Sequence, residues 1–84
     1  MYKLEILTSA HKALHKINHE DRAAIAKAIN NLSENPRPNG YKKLKGSELY
    51  RIRTGDYRVI YQIDNAKLLV LVVRIGHRRE IYRR

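Results

Sequence analysis

The residues of this chain with the most distinctive chemistry stand at its C-terminal end, in the stretch RIGHRREIYRR at positions 74–84. One histidine, His77, and one tyrosine, Tyr82, lie there among five arginines. Arginine stays protonated and presents a fork of N–H donors that matches phosphate, whereas histidine gains or loses a proton near neutral pH. Permanent cations combined with groups that can exchange a proton are typical of chemistry on a phosphate ester.

The rest of the sequence offers no competing set of reactive residues. Cysteine is absent, which excludes disulfides and thiolate chemistry. His11, His15 and His19 recur every four residues, but a helix break predicted near Asn18 separates the third from the others, and no carboxylate completes a zinc-hydrolase pattern. The glycines are isolated, so they form no phosphate-binding loop. We therefore predict no metal site and no cofactor.

Metal-independent cleavage of RNA is the reaction that these residues fit best. The 2′-hydroxyl of the substrate attacks the adjacent phosphate, so the nucleophile belongs to the RNA and the product ends in a 2′,3′-cyclic phosphate. The protein has to stabilise a dianionic phosphorane and to supply a base and an acid. Arginines can stabilise the charge, but they cannot readily accept a proton. His77 and Tyr82 are therefore the candidates for the proton transfers.

The positive charge is concentrated in the second part of the chain. Lys and Arg together number 18 and Asp and Glu 8, which gives a formal net charge of +10. Residues 1–35 hold five of the basic and four of the acidic residues, so the excess lies almost entirely in residues 36–84. A field of one sign attracts phosphates, as in nucleic acids. Because the sequence contains no membrane-length apolar run and no targeting signal, we expect a cytoplasmic protein that does not bind a membrane.

Hydrophobic periodicity predicts the elements that position these residues. Strands are predicted over 2–8, 48–54, 56–64 and 67–75. A first helix should begin at Thr8 or Ser9 as its N-cap, and a second at Asn18, ending before Pro36. The prediction is an α+β fold of the order β-α-α-β-β-β, with a helical hairpin on one face of an antiparallel sheet, forming a single domain over residues 1–84.

The period-two alternation of a strand then assigns side chains to the two faces of the sheet. The apolar set that should face the helices is Tyr50, Ile52, Val59, Tyr61 and Ile63. Arg51, Arg53 and Arg58 should point to the opposite, uncovered face, where an external polyanion would relieve their mutual repulsion. The alternative is a solvated face whose charges pair with Glu48 or Asp56.

The stretch YRIRTGDYRVIYQI followed by RIGHRREIY resembles the RelE family of bacterial and archaeal type II toxin–antitoxin ribonucleases, in the RelE/ParE superfamily. The resemblance covers the whole chain and implies a fold like that of the microbial ribonucleases. It implies an endoribonuclease, or mRNA interferase, that cleaves messenger RNA in the decoding site of the ribosome and so inhibits translation. It also implies a cognate antitoxin whose acidic segment covers the basic face, and contact with operator DNA only through that complex.

The resemblance assigns roles to individual positions. Arg58 matches the phosphate-contacting arginine of the family, Arg78 its transition-state arginine, and Tyr82 its C-terminal tyrosine that acts on RNA. The family pattern has lysines, one of them a proposed base, where this chain has arginines, which favours His77 or Tyr82 as the base here. The further residues that we predict to bind RNA are Arg51, Arg53, Lys42, Lys43, Lys45 and Arg79.

Two alternatives stay open at the level of sequence. A ParE-type toxin shares the scaffold and the YRVIY strand but poisons DNA gyrase through protein contacts, and it does not need the C-terminal His, Arg and Tyr residues. A non-catalytic module that binds nucleic acid would need Arg58 for affinity but would not depend on the hydroxyl of Tyr82.

Overall fold

The computed structural model describes residues 1–81, so Tyr82 and the two arginines after it lie outside the described residues. The elements are β1 (Lys3–Ile6), α1 (Thr8–His15), α2 (His19–Asn31), β2 (Lys42–Lys43), β3 (Leu49–Thr54), β4 (Tyr57–Asp64), β5 (Leu69–His77) and α3 (Arg78–Ile81). The predicted α+β class is confirmed, with the short strand β2 and the short helix α3 as additions. Within the described part of the chain, no helix has the length and apolar character needed to cross a membrane.

The sheet has five strands in the order β1-β5-β4-β3-β2. Strands β2 to β5 pair antiparallel with their neighbours, but β1 pairs with β5 in parallel. The sheet is therefore mixed, and our expectation of a wholly antiparallel sheet was wrong. The reason lies in the path of the chain across the whole sheet. The helices carry the chain from β1 at one edge to β2 at the other, and β3, β4 and β5 then lead back until β5 lies beside β1 and runs in the same direction as β1.

The helices pack on one face of the sheet and form a single core with it. Its buried residues are Ala10, Leu14, Ile25, Ile29, Leu32, Ile52, Val59, Tyr61, Val70, Val72 and Ile75. Tyr50 and Ile63 pack against this cluster, so the prediction that the apolar side of β3 and β4 faces the helices is confirmed. Full burial of each large apolar side chain stabilises the fold by about 1.5–3 kcal/mol relative to exposure.

The two main helices begin in different ways. Asn18 is the N-cap of α2, as predicted, because its Oδ1 accepts the backbone N–H of Asp21 at 3.0 Å. The N-cap of α1 is Leu7, with no side-chain capping bond, so the prediction of Thr8 or Ser9 was wrong; Thr8 is already the first helical residue. Since a polar N-cap stabilises a helix by about 1 kcal/mol, α1 depends on its packing against β5 for its stability.

The buried Tyr61 connects the core to the loop that follows α2. Its hydroxyl donates to the carbonyl oxygen of Pro36 at 2.7 Å. Burial raises the pKa of Tyr61 from 10.0 to about 12, with a further contribution from the neighbouring Tyr41. The centroid of its ring lies 6.0 Å from the centroid of the ring of Tyr50, the residue that pairs with Tyr61 on β3. Tyr50 and Tyr61 are therefore structural, which agrees with their alternation in the sequence.

A β-bulge in β5 changes which side chains share a face. Tyr61 pairs with Val72 and Ile60 pairs with Arg74, so Val73 has no opposite residue on β4. Because one residue is inserted, both Val72 and Ile75 lie in the core, although they are three positions apart. Arg74 consequently points away from the helices.

Candidate functional site

Five basic side chains share the face of the sheet that is turned away from the helices. Arg53 lies directly opposite Arg58, and Arg51 lies opposite Lys42 on one side and Ile60 on the other. Arg74 lies on the far side of Ile60. Directly opposed residues of paired strands project to the same face, and like charges in such pairs repel. We call the set Lys42, Arg51, Arg53, Arg58 and Arg74 the basic face.

The basic face is partly buried, which corrects the prediction of an uncovered surface. Arg51 is 6% exposed and Arg58 7%, and Ile60 beside them is 4% exposed, although it lies outside the main core cluster. Arg53 and Arg74 are exposed. Alternation along a strand assigns a side chain to one face of the sheet, but it does not predict how far the surrounding residues cover that side chain. The result is a buried cationic centre with an exposed cationic rim.

Arg58 stands at the centre of this arrangement. Its Nε atom is buried and has no hydrogen-bond partner among the described residues. An unsatisfied donor costs roughly 1–3 kcal/mol, and more when it belongs to a charged group. Together with the opposed Arg53, this donor makes the face unfavourable for the isolated protein and favourable for an anion with several oxygen acceptors.

Arg74 belongs to the basic face, although it was not among the site residues predicted from the sequence. The strand predicted over 67–75 is almost continuously apolar, and the sequence analysis assigned no role at the site to the arginine within it. The structure places Arg74 in the same cross-strand row as Arg51, with Ile60 between them. A single charge inside an otherwise apolar strand was the available signal, because such a charge must reach either solvent or a partner.

The remaining lysines that we predicted to bind RNA occupy the basic stretch before β3. Lys43 pairs with Tyr50, which packs against the core, so Lys43 does not project to the basic face. Lys45 is exposed in the turn between β2 and β3. Only Lys42 of these three lies on the basic face, opposite Arg51.

His77 lies on the other side of the sheet from Arg58. It pairs with Tyr57, and the two rings meet edge to face with centroids 5.5 Å apart. His77 and Tyr57 line a cleft of about 430 Å³ together with Ala13 of α1 and Ile17, which lies between α1 and α2. The residue that pairs with Arg58 is Gly76. The expected position of His77 within the arginine cluster is therefore wrong, because adjacent residues of a strand project to opposite faces.

The start of α3 is held by hydrogen bonds from two successive backbone N–H groups, one to a backbone carbonyl and one to a side chain. The N–H of Arg78 donates to the carbonyl oxygen of Asp56 at 2.8 Å. The N–H of Arg79 donates to Nδ1 of His77 at 3.2 Å. Both arginine side chains are exposed. Tyr82, which we predicted to act on RNA, lies outside the described residues.

Two further features bear on the chemistry of the site. A cleft of about 480 Å³ opens along the edge of β3, next to the basic face; its lining residues are Ala28, Asn31, Pro38, Asn39, Gly40, Lys42, Arg51, Ile52 and Arg53. Its volume lies in the range of sites for small organic ligands. Among residues 1–81, no three His, Cys, Asp or Glu side chains are grouped so that they could hold a metal ion.

Comparison of the sequence with known proteins gives two matches to toxins. The sequence model of the family described as "ParE toxin of type II toxin-antitoxin system, parDE" matches residues 4–82. Over 87 aligned residues the chain is 34% identical to Toxin RelG of Mycobacterium tuberculosis, and the alignment covers 99% of this chain and 98% of that protein.

Comparison of the fold also gives matches to toxins of toxin–antitoxin systems. The archaeal RelE–RelB complex from Pyrococcus horikoshii OT3 contains a chain that matches with a TM-score of 0.83 at 27% identity, covering 94% of this chain and 97% of that one. The intact E. coli RelBE toxin–antitoxin complex matches with a TM-score of 0.79 at 30% identity, covering 92% and 96%. By sequence and by fold, the chain belongs to the RelE family of type II toxin–antitoxin toxins, within the RelE/ParE superfamily.

Proposed function

We propose that this toxin is an endoribonuclease that cleaves messenger RNA in the decoding site of the ribosome and thereby inhibits translation. The observation that carries the proposal is the basic face, and above all Arg58, whose buried Nε lacks a partner among the described residues while Arg53 lies directly opposite. A phosphate of an RNA backbone would supply oxygen acceptors for Arg58 and a negative charge close to both Arg58 and Arg53.

The proposed reaction is a metal-independent transesterification. The 2′-hydroxyl of one nucleotide loses its proton and attacks the neighbouring phosphorus, and the bond to the departing 5′-oxygen breaks as that oxygen gains a proton. The products are a 2′,3′-cyclic phosphate and a free 5′-hydroxyl. Arg58 stabilises the negative charge that builds on the non-bridging oxygens, and Arg78 assists it from the C-terminal segment.

Arg51, Arg53, Arg58 and Arg74 cannot readily accept a proton, so the proton transfers need a group other than the arginines of the basic face. We propose Tyr82 for one of these transfers. A site with strong charge stabilisation but few proton carriers depends on an exact fit of the substrate, so that the 2′-hydroxyl lies in line with the departing oxygen. The ribosome, which holds messenger RNA in a defined conformation, would supply that alignment.

The rim of the site binds the RNA on either side of the scissile bond. Lys42, Arg53 and Arg74 form this rim on the same face of the sheet as the buried Arg51, and Lys43, Lys45 and Arg79 add positive charge around it. Contacts of this kind fix the path of the backbone without reading its sequence. They also make the affinity for RNA fall as the salt concentration rises.

We further propose that a cognate antitoxin neutralises this chain by covering the basic face with an acidic segment. RelE relatives have been solved as complexes with RelB antitoxins, which supports a partner of that type. The complex, rather than the toxin alone, would contact operator DNA, and the toxin would act in the cytoplasm. Reversal of an exposed charge, Arg53→Glu, should weaken the complex, as measured by calorimetric titration with the antitoxin.

Cleavage is tested by inducing the chain in bacterial cells and mapping the ends of translated transcripts. New ends should appear within translated coding sequence for the wild type, and they should be lost with Arg58→Met and Tyr82→Phe. Lys27→Met, which removes one exposed positive charge from α2, is the matched control and should cut normally. Intact messages in cells whose growth is inhibited by the wild type would contradict the proposal.

A second candidate function is that of a gyrase poison, since the matching family model is described as a ParE toxin. In that case induction would leave messages intact, and the purified chain would block the supercoiling activity of DNA gyrase. A module that binds RNA without cleaving it gives a third pattern: Arg58→Met would weaken binding, whereas Tyr82→Phe would leave its effect on cells unchanged.

A further inference from the structure

We propose that His77 is a positioning residue that caps α3 and so orients the segment that carries Arg78 and Arg79, and that it exchanges no proton with the substrate. Its effect on catalysis rests on the proposed ribonuclease function, whereas its effect on the C-terminal segment does not. The proposal assigns to this histidine a role that depends on the hydrogen-bond acceptor Nδ1 and not on proton transfer to or from the RNA.

The side of the sheet on which His77 lies argues against a direct role in chemistry. Gly76 pairs with Arg58, so the backbone next to the basic face carries no side chain at this position. His77, one residue later, projects to the side of the helices and contacts the ring of Tyr57. A proton acceptor for the 2′-hydroxyl has to come within hydrogen-bond distance of the RNA, and the sheet itself lies between this imidazole and the phosphate-binding arginines.

The hydrogen bond of His77 is that of an N-cap. His77 immediately precedes α3, and its Nδ1 accepts the N–H of Arg79, the second residue of the helix. Capping side chains accept from the second or third N–H of a helix in this way. A ring nitrogen that accepts a hydrogen bond carries no proton, so the neutral imidazole has its proton on Nε2.

The cap is attached to a rigid support. The edge-to-face contact with Tyr57 fixes the plane of the imidazole, and Tyr57 packs against the core cluster. The neighbouring bond from the N–H of Arg78 to the carbonyl oxygen of Asp56 ties the same segment to the β3–β4 turn. Two bonds at successive residues determine the direction in which the chain leaves β5.

The test compares two substitutions with different hydrogen-bonding capacity. His77→Asn keeps a short side-chain acceptor suited to an N-cap but has no group that titrates near neutrality, whereas His77→Leu keeps bulk and removes the acceptor. Each purified variant is digested briefly with trypsin, and cleavage after Arg78 and Arg79 is followed by mass spectrometry. We expect the Asn variant to match the wild type and the Leu variant to be cut about fivefold faster, because cleavage requires local opening of α3.

Cleavage of messenger RNA on programmed ribosomes is measured with the same proteins. We expect the Asn variant to retain activity within about threefold of the wild type and the Leu variant to lose about tenfold, with unchanged thermal unfolding of both. Loss of activity in the Asn variant, with the tail digested at the wild-type rate, would show that the imidazole transfers a proton. Equal digestion of all three proteins would overturn the capping role. If the wild type cuts no RNA, the proposed function fails, and the digestion rates still decide whether His77 is a cap.

Discussion

Arg53 and Arg58 lie directly opposite each other across the β3–β4 hairpin, on the face of the sheet that is turned away from the helices. Their neighbours Ile52 and Val59 form the next opposed pair and project into the core. The packing that stabilises the hairpin therefore holds two like charges together. A binding site for a polyanion built in this way reduces the stability of the free toxin in exchange for affinity.

Replacement of Arg58 by methionine should change stability and activity in opposite directions. In Arg58→Met a buried guanidinium, whose Nε has no hydrogen-bond partner within residues 1–81, gives way to an apolar side chain of similar length. We expect the free energy of unfolding to rise by about 1 kcal/mol, because replacing a poorly satisfied buried charge with an apolar group often stabilises a protein. Cleavage of messenger RNA on ribosomes should fall about 100-fold or more, as for loss of a charge-stabilising donor. Denaturant unfolding and single-turnover cleavage measure the two effects.

The matched control for that experiment is Lys27→Met on α2, which removes the same unit of charge from an exposed position. Lys27→Met should change neither the free energy of unfolding nor the rate of messenger RNA cleavage appreciably. A clear decrease in stability of Arg58→Met would mean that Arg58 is satisfied in solution, and the argument from its unpaired donor would fail.

Arg74 should contribute to RNA affinity although the sequence pattern did not single it out. In Arg74→Gln we expect weaker binding of a short single-stranded RNA, and the slope of log affinity against log salt should flatten by about 0.7, the value for one phosphate contact. Fluorescence anisotropy over a salt series measures this slope. Lys27→Gln serves as the control, and an identical slope in wild type and Arg74→Gln would place Arg74 outside the RNA path.

Tyr61 should make stability depend on pH in the alkaline range. Because folding raises the pKa of Tyr61 from 10.0 to about 12, the folded state favours the protonated phenol. Its contribution to stability is complete below pH 10 and is lost as the pH rises towards 12. At neutral pH, Tyr61→Phe should cost about 1–2 kcal/mol, since the carbonyl of Pro36 loses its donor. Denaturant unfolding of both proteins from neutral to alkaline pH should show a shallower decline for Tyr61→Phe; parallel declines would contradict the assignment.

Leu68 occupies a backbone conformation that favours other residues. Its φ is 50°, in the left-handed region, and its side chain is 49% exposed in the turn before β5. Leu68→Asn should raise the free energy of unfolding by about 0.5–1 kcal/mol, because Asn adopts this conformation more easily. Thermal unfolding should shift upward by a few degrees. Leu68→Ala keeps the strained Cβ and is the control: an equal gain there would point to the removal of exposed apolar surface instead.

Several features of the molecule could be predicted from the sequence because they depend on neighbours along the chain. Helical spacing and the N-cap at Asn18 located α2, and the alternation through YRIRT and YRVIY separated the core-facing Ile52 and Val59 from Arg53 and Arg58. Tyr61 was correctly placed in the core for the same reason. Side-chain direction within a helix or strand is a local property, so a local pattern is sufficient to read it.

The remaining features depend on contacts between distant segments. The parallel pairing of β1 with β5 is decided only when the whole sheet assembles. The bulge at Val73 shifts the alternation of β5 by one residue, which places Arg74 on the basic face and His77 on the side of the helices. The bulge itself depends on the register in which β4 and β5 pair. The burial of Arg58 is likewise not predicted by the alternation along β4. The sequence by itself determined which residues are available for the proposed chemistry on RNA; tertiary structure decided which of them meet, because register and packing are set across strands and not along them.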